Sequence, residues 1–406
     1  TMGAALSALF AYWGGLSAVI FGKARLDDLR LGAPHDSVRS RIHIYGLALH
    51  LNMWSCAHYR SGTFANDMRK NLRNVAVPGS GIALSLFCWN YLAGLFLLWV
   101  GVPICVTIAA LAEGGTSGFT ELFRLRLLEP REWFFYWRLN SVLASYHAMH
   151  TGDSGYELED KLAFLEACER EQVPASPWLS EPKLIVKHRN EEGGMGLQFF
   201  SNATAGGDWI IQHALSNADE IAQLLPANAP LSTLRLISIS SAVLRAKNEE
   251  AVPDDITILS ACWRAGRAGA DTDHKSILFD VDLRSGEILG GTTSSHWYQL
   301  GLLAATRCPW RSENHTITQH PDNGVTIAGQ FIPQMDKIRE IVAHAHMSMC
   351  PGVPIIGWDV ALTREAGICL LEANLSCNFF RATFDEDAYY SFVGRVFSVL
   401  EREAAK

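Results

Sequence analysis

The segment 357–374 constrains this chain most. It reads Gly357-Trp-Asp359-Val-Ala-Leu362 and then, after a short gap, Leu370-Leu-Glu372-Ala-Asn374. Two apolar runs, 360–362 and 368–371, predict neighbouring strands joined by a turn over 363–367. In an antiparallel pair opposing residues lie close together, so Asp359 is expected beside Glu372. Alternation along the second strand puts Glu372 and Asn374 on one face. Two carboxylates and an amide oxygen then converge, a donor set suited to a hard cation such as Mg2+ that shares its shell with phosphate and water. The plainer alternative is an acidic hairpin with a solvated face. It leaves Glu372 unpaired within an otherwise apolar run, at a considerable desolvation cost.

Upstream lie other groups with phosphate chemistry. The loop Glu191-Glu-Gly193-Gly194-Met-Gly196 clusters glycines, which let backbone N–H groups approach an anion without side-chain obstruction; an ordinary hairpin turn has the same composition. Lys187 closes the run Lys183-Leu-Ile-Val-Lys187 and offers a compact positive charge, or is a strand-end surface lysine. Arg235 and Arg264 interrupt the apolar runs 234–239 and 256–263. An arginine placed there is rarely buried without an anionic partner. That partner is either a protein carboxylate or a bound phosphate or acyl phosphate, which a guanidinium fork matches.

Taken in order, these pieces resemble the ATP-grasp superfamily, and in particular its sugar-transfer-associated branch. Asp160-Lys161 opens a helical pattern that Val173-Pro174 ends. The strand ending at Lys187, the glycine loop and Trp209-Ile-Ile-Gln212-His213-Ala-Leu215 follow. Leu231-Ser-Thr-Leu-Arg235-Leu, Cys262-Trp-Arg264-Ala-Gly266 and the acidic tail complete the sequence. The resemblance spans about 245 residues. It implies an α+β ATP-grasp fold, two α/β lobes clasping ATP, over 155–406. It further implies that Lys187, Gly193, Gly194 and Gly196 hold triphosphate and that His213 and Leu215 bond adenine through their backbone. Gln212 would lie beside the base and Asp219 near the ribose. Arg235 and Arg264 would act on the transferring group, while Asp359, Glu372 and Asn374 hold Mg2+, with Mn2+ as the alternative. The chain departs from the branch at Gln212-His213, Asp273-His274 and 375–381, where the acceptor would bind, so the resemblance does not name a substrate.

The first third is of another kind. Residues 1–22 carry no charge, nor do the thirty-one residues 82–112, and each run is long enough to enter a bilayer. Between them, 23–80 holds nine Lys/Arg (Lys23, Arg25, Arg30, Arg39, Arg41, Arg60, Arg69, Lys70, Arg73) against four Asp, which places that loop on the cytoplasmic side. If the catalytic part also faces cytoplasmic ATP, then either 82–112 is a non-crossing hairpin bent near Gly101-Val-Pro103, or the first segment lies along the surface. Residues 1–112 are thus expected to form a membrane-associated helical region, and 113–154 an amphipathic connector. A buried soluble hairpin is the competing reading of 82–112.

The net charge of −8 gives no footprint for nucleic acid. Nine scattered cysteines without a C-x-x-C pair argue against a disulfide framework or a structural zinc site. His344 and His346 read as helix side chains. The expected activity is therefore that of a membrane-associated, ADP-forming ligase working through an acyl phosphate. It would join a carboxylate to an amine, or less readily to a thiol or hydroxyl, on a small-molecule or a lipid- or glycan-linked acceptor. A kinase on the same fold and a non-catalytic membrane scaffold are the alternatives. The oligomeric state is open.

Overall fold

The computed structural model describes residues 2–74, 85, 89–190, 195–245, 249–273, 276–293 and 316–404. Its centre is a six-stranded antiparallel sheet in the order β6-β5-β4-β3-β7-β8. The strands are β3 (Thr233–Ser240), β4 (Ile256–Gly266), β5 (Ser276–Val281), β6 (Ile288–Thr293), β7 (Ile355–Thr363) and β8 (Gly367–Asn374). A separate hairpin pairs β1 (Lys183–Lys187) with β2 (Leu197–Ser201).

Alternation along β3 divides the hydrophobic interior in two. Leu234 and Leu236 join Trp263, Ile356, Trp358 and Val360 on the face covered by the helix Met335–Met349 and by α7 (Lys161–Arg170). Ile237, together with Ile355, turns to the opposite face and joins the helical N-terminal region and the helix Glu386–Ala404. Trp263 and Trp358 are almost wholly buried, and burying a large apolar side chain contributes roughly 1.5–3 kcal/mol. His346 is buried in its helix, as expected for a structural histidine, bonded to Ser238 Oγ at 2.7 Å and to the Val353 carbonyl at 2.9 Å.

The N-terminal region consists of α1 (Met2–Ile20), α2 (Val38–Asn52), α3 (Phe64–Asn71), α4 (Tyr91–Phe96), α5 (Val102–Leu128) and α6 (Trp133–Thr151). One π-helical turn, Leu97–Gly101, joins α4 to α5, so Gly101-Val-Pro103 does not break the helix. The physical reason lies in α1. Val102 N–H bonds the Leu97 carbonyl, five residues back, which frees the Leu98 carbonyl. Pro103 has no N–H to offer Trp99. The two released carbonyls accept from Tyr12 Oη and Trp13 Nε1, each at 2.9 Å.

The chain reverses at Gly115 instead. There φ 54°, ψ −155° is a conformation essentially reserved for glycine. Glu113 on the first limb forms an ion pair with Arg126 on the second, a contact that thirteen residues of straight helix would not allow. The segment 113–154, read as an amphipathic connector, holds the second limb and α6. From Phe135 to His147, α6 is buried on nearly every side, because α2 and the helix Glu386–Ala404 pack against it. The seven cysteines among the described residues are free.

Candidate functional site

β7 and β8 form the expected hairpin, longer than its apolar runs, with Asp359 paired opposite Glu372 and Gly357 opposite Asn374. On the other side of β7, Asp359 pairs with Arg235 of β3. Arg235 in turn sits opposite Cys262 of β4, two residues from Arg264. The sheet therefore brings both sequence-predicted arginines to one carboxylate. Arg235 Nε and Nη2 donate to the two Asp359 oxygens at 2.5 and 3.1 Å, and Arg264 Nη1 donates to Oδ2 at 3.3 Å. All three side chains are nearly fully buried. Burial alone raises the Asp359 carboxyl pKa, but the Arg235 and Arg264 charges outweigh it and hold the group below the usual carboxylate range. The same pairing keeps buried Arg235 protonated against its own desolvation. Phe380, at φ 53°, lays its ring 5.1 and 5.4 Å from the Arg235 and Arg264 guanidinium carbons.

Lys161 and Asp273 also reach this cluster. Lys161 Nζ donates to Glu372 Oε2 at 2.5 Å, and Arg264 Nη2 donates to Asp273 Oδ1 at 2.8 Å. Thr233 Oγ1 bonds the other Asp273 oxygen. Neither Lys161 nor Asp273 was assigned a site role from sequence. The signal for Lys161 was the Asp160-Lys161 helix start: Asp160 Oδ1 caps α7 by accepting from the N–H groups of Leu162 and Ala163, which fixes Lys161 at the first turn.

A cavity of about 300 Å3 opens above the cluster. Gln212, His213, Leu215, Arg264, Asp359 and Glu372 are among its walls, so the proposed adenine and catalytic ends share one cleft. The segment 209–217 is extended but bridged only at single points rather than forming a strand. His213 N–H is spent on the Pro177 carbonyl at 3.1 Å, so a bond from that residue's backbone to a base would come through its carbonyl.

Other expected residues stand apart from the cleft. Lys187 is exposed on β1 and does not line it. Gly196 faces the same hairpin, where its carbonyl accepts from His188 N–H. Asp219 is exposed and tied to Arg364 at 2.6 Å, because α8 (Asp219–Ala222) starts on the outside of the turn 363–367. Gly193 and Gly194 lie outside the described residues. Asn202 is fully buried, with Nδ2 donating to the Leu179 and Glu181 carbonyls, and is structural.

The donor chemistry of Glu372 and Asn374 suits a hard cation: a carboxylate and an amide at i, i+2 on one strand, with Asn374 Nδ2 3.4 Å from Glu372 Oε1. Asp359 is already the counter-ion of two arginines, accepting one bond at Oδ1 and two at Oδ2, and Oδ1 keeps a further lone pair. Among the described residues no three His, Cys, Asp or Glu side chains converge as a metal cage.

The sequence model of the family described as sugar-transfer associated ATP-grasp matches residues 301–381, the stretch that carries β7, β8, Glu372 and Asn374. The chain resembles the ATP-grasp superfamily. Among solved structures it is similar to an ATP-grasp ligase, PsnB, complexed with a minimal precursor. That similarity is 11% identity over 66% of this chain and 71% of that one, with a TM-score of 0.27. No curated protein matches. In this ATP-grasp-like chain, the matched segment supplies one wall of the cleft, and β3, β4 and α7 supply the cations that face it.

Proposed function

We propose that the chain is an ATP-dependent ligase that activates a carboxylate as an acyl phosphate. The observation that carries this reading is the buried Arg235–Asp359–Arg264 unit beside Glu372 and Asn374, of which Arg264, Asp359 and Glu372 line a cleft that Gln212, His213 and Leu215 also line. Arg264 and Lys161 place positive charge where a triphosphate end would lie, and such electrostatic positioning supplies most of phosphoryl transfer. A bound Mg2+, held by Glu372 and Asn374, would neutralise charge on the phosphate oxygens. A carboxylate oxygen attacks the γ-phosphorus, the bond to the β-phosphate oxygen breaks, and ADP leaves. An amine nitrogen then attacks the acyl carbon, loses a proton and expels phosphate. Gln212 and the Leu215 backbone hold adenine in this reading. Lys187 and the glycine loop take part only if the β1–β2 hairpin closes onto the cleft.

The test is trapping. With ATP and a carboxylate substrate but no amine, hydroxylamine should yield a hydroxamate, and oxygen-18 placed in the carboxylate should appear in released phosphate. AMP and pyrophosphate as products would overturn the reading.

We also infer that the protein sits on a membrane surface with its catalytic part facing cytoplasmic ATP. The supporting observation is a row of exposed apolar side chains along α4, the π-helical turn and α5, Leu92, Phe96, Val100, Ile104, Ile108 and Leu111, beside Met2, Leu6 and Phe10 of α1. The inner face of α1, from Ala5 to Val19, packs on the protein core along its whole length. A helix held to the globular body in that way favours lying in the interface over crossing it. This matches the surface-lying alternative for the first segment rather than a hairpin bent at Gly101.

A further inference from the structure

A second and larger cavity, about 830 Å3, opens on the N-terminal side of the same cluster. Its walls come from distant parts of the chain: the turn and α3 over 59–71, Trp137 of α6, the segment 156–163, Arg235 of β3, and 374–378 at the end of β8. The rings of Tyr59 and Tyr156 lie 4.9 Å apart on one side. Arg60 is immobilised by Glu159 at 2.6 Å, Asp67 at 3.2 Å and Ser376 Oγ at 2.7 Å, so it builds the wall. Lys70 and Glu157 also line the cavity; both are exposed, and their side chains have no partner among the described residues.

The buried ion pair divides the two cavities. Arg264, Asp359 and Glu372 line the nucleotide cleft, whereas Arg235 and Asn374 line the second cavity. Because the two guanidiniums share one carboxylate, an anion on Arg264 and an anion on Arg235 would be neighbours across Asp359. Attack requires the carboxylate oxygen about 3–3.5 Å from the γ-phosphorus, so the two anions would meet past the edge of the ion pair, where Glu372 and Asn374 stand on one strand.

We propose that the second cavity binds the carboxylate substrate, with its carboxylate innermost against Arg235 and Asn374. The body of that substrate carries hydroxyl or ammonium groups that meet Lys70 and Glu157, and an apolar face that packs on Tyr59, Tyr156 and Trp137. A plain alkyl chain would strip water from Lys70 and Glu157 without replacing their hydrogen bonds, so it is the wrong class. The helical N-terminal region thus selects the substrate as well as carrying the apolar face. This inference rests on the ligase reading, with each arginine serving one of the two anions.

The test uses the full chain and two separate binding measurements. Radiolabelled ATP is measured by equilibrium dialysis. Carboxylates are measured calorimetrically, from a panel of amino acids, hexuronates and C4–C10 alkanoates. A hydroxyl- or amine-bearing carboxylate should bind. Lys70→Glu or Glu157→Lys should weaken it by about tenfold, the worth of one charged hydrogen bond, while ATP affinity changes less than about twofold. Amino acids and hexuronates are resolved by which arm of the panel binds. Binding of alkanoates alone, binding of no carboxylate, or unchanged affinity in both variants would overturn the proposal. Failure of ATP to bind, with carboxylate binding intact and sensitive to both variants, would instead remove the ligase reading and leave the cavity assignment standing.

Discussion

With both oxygens of Asp359 engaged by Arg235 and Arg264, removing its charge leaves the buried Arg235 guanidinium without its counter-ion and Arg264 with Asp273 alone. Breaking a buried pair from one side costs about 3–5 kcal/mol, so Asp359→Asn should unfold at markedly lower denaturant as well as lose ATP turnover. Glu372 is part-exposed and bonded to the solvent-facing Lys161, a kind of pair worth little to stability. Glu372→Gln and Asn374→Ala should therefore abolish Mg2+-dependent ADP release with melting nearly unchanged. Turnover retained in both would remove the metal assignment. His346 supplies a pH signature. Burial pushes its pKa down to about 4, against the Val353 carbonyl bond that raises it. The unfolded imidazole takes up a proton near pH 6.5 while the folded one resists until about 4. Its stabilising share is thus complete above 6.5 and lost as pH falls through that window, on the order of 3 kcal/mol. The slope of melting temperature against pH between 6.5 and 4 should flatten in His346→Asn, whatever that variant's stability at neutral pH.

Elements differed in how far they could be read ahead. β7 and β8 were legible because alternation, a turn over 363–367 and two carboxylates all lie within eighteen residues of chain. β1, α7 and the strand placement of Arg235 and Arg264 were legible for the same local reasons. The pairing of those arginines with Asp359 was not, since the partners lie 124 and 95 residues away and sequence spacing carries no trace of a three-strand register. The position of the helical reversal was missed for a related reason. Glycine and proline at 101 and 103 signal a bend locally, yet the side chains that make the continuous helix tolerable come from residues 12 and 13. That account can be tested on the element itself. Tyr12→Phe leaves the buried Leu98 carbonyl without its donor and should cost about 1–3 kcal/mol, read by denaturant unfolding. No change would mean that the π-turn carbonyls are satisfied elsewhere.

At the scale of the whole molecule, one apolar face and two polar cavities lie on a body whose core joins Tyr12 and Leu16 to Ile237, Ile355 and Phe397. The apolar face should bring the protein to liposomes in a flotation assay. Phe96→Glu combined with Ile104→Glu should release it, since a charge buried in hydrocarbon is costly; flotation unchanged by that pair would exclude this face as the anchor. The sharing of Asp359 has a consequence for how the two cavities communicate. An anion that draws Arg264 away leaves the whole of the Asp359 charge to Arg235, which is then less available to a carboxylate; the converse holds equally, because coupling between two binding equilibria is reciprocal. In chelator, ATP and the carboxylate should therefore each raise the other's dissociation constant by the same factor. Calorimetric titration of either ligand at saturating levels of the other reads that factor directly. A value of one would mean that the two arginines respond independently, and that the carboxylate between them is a fixed post rather than a balance arm.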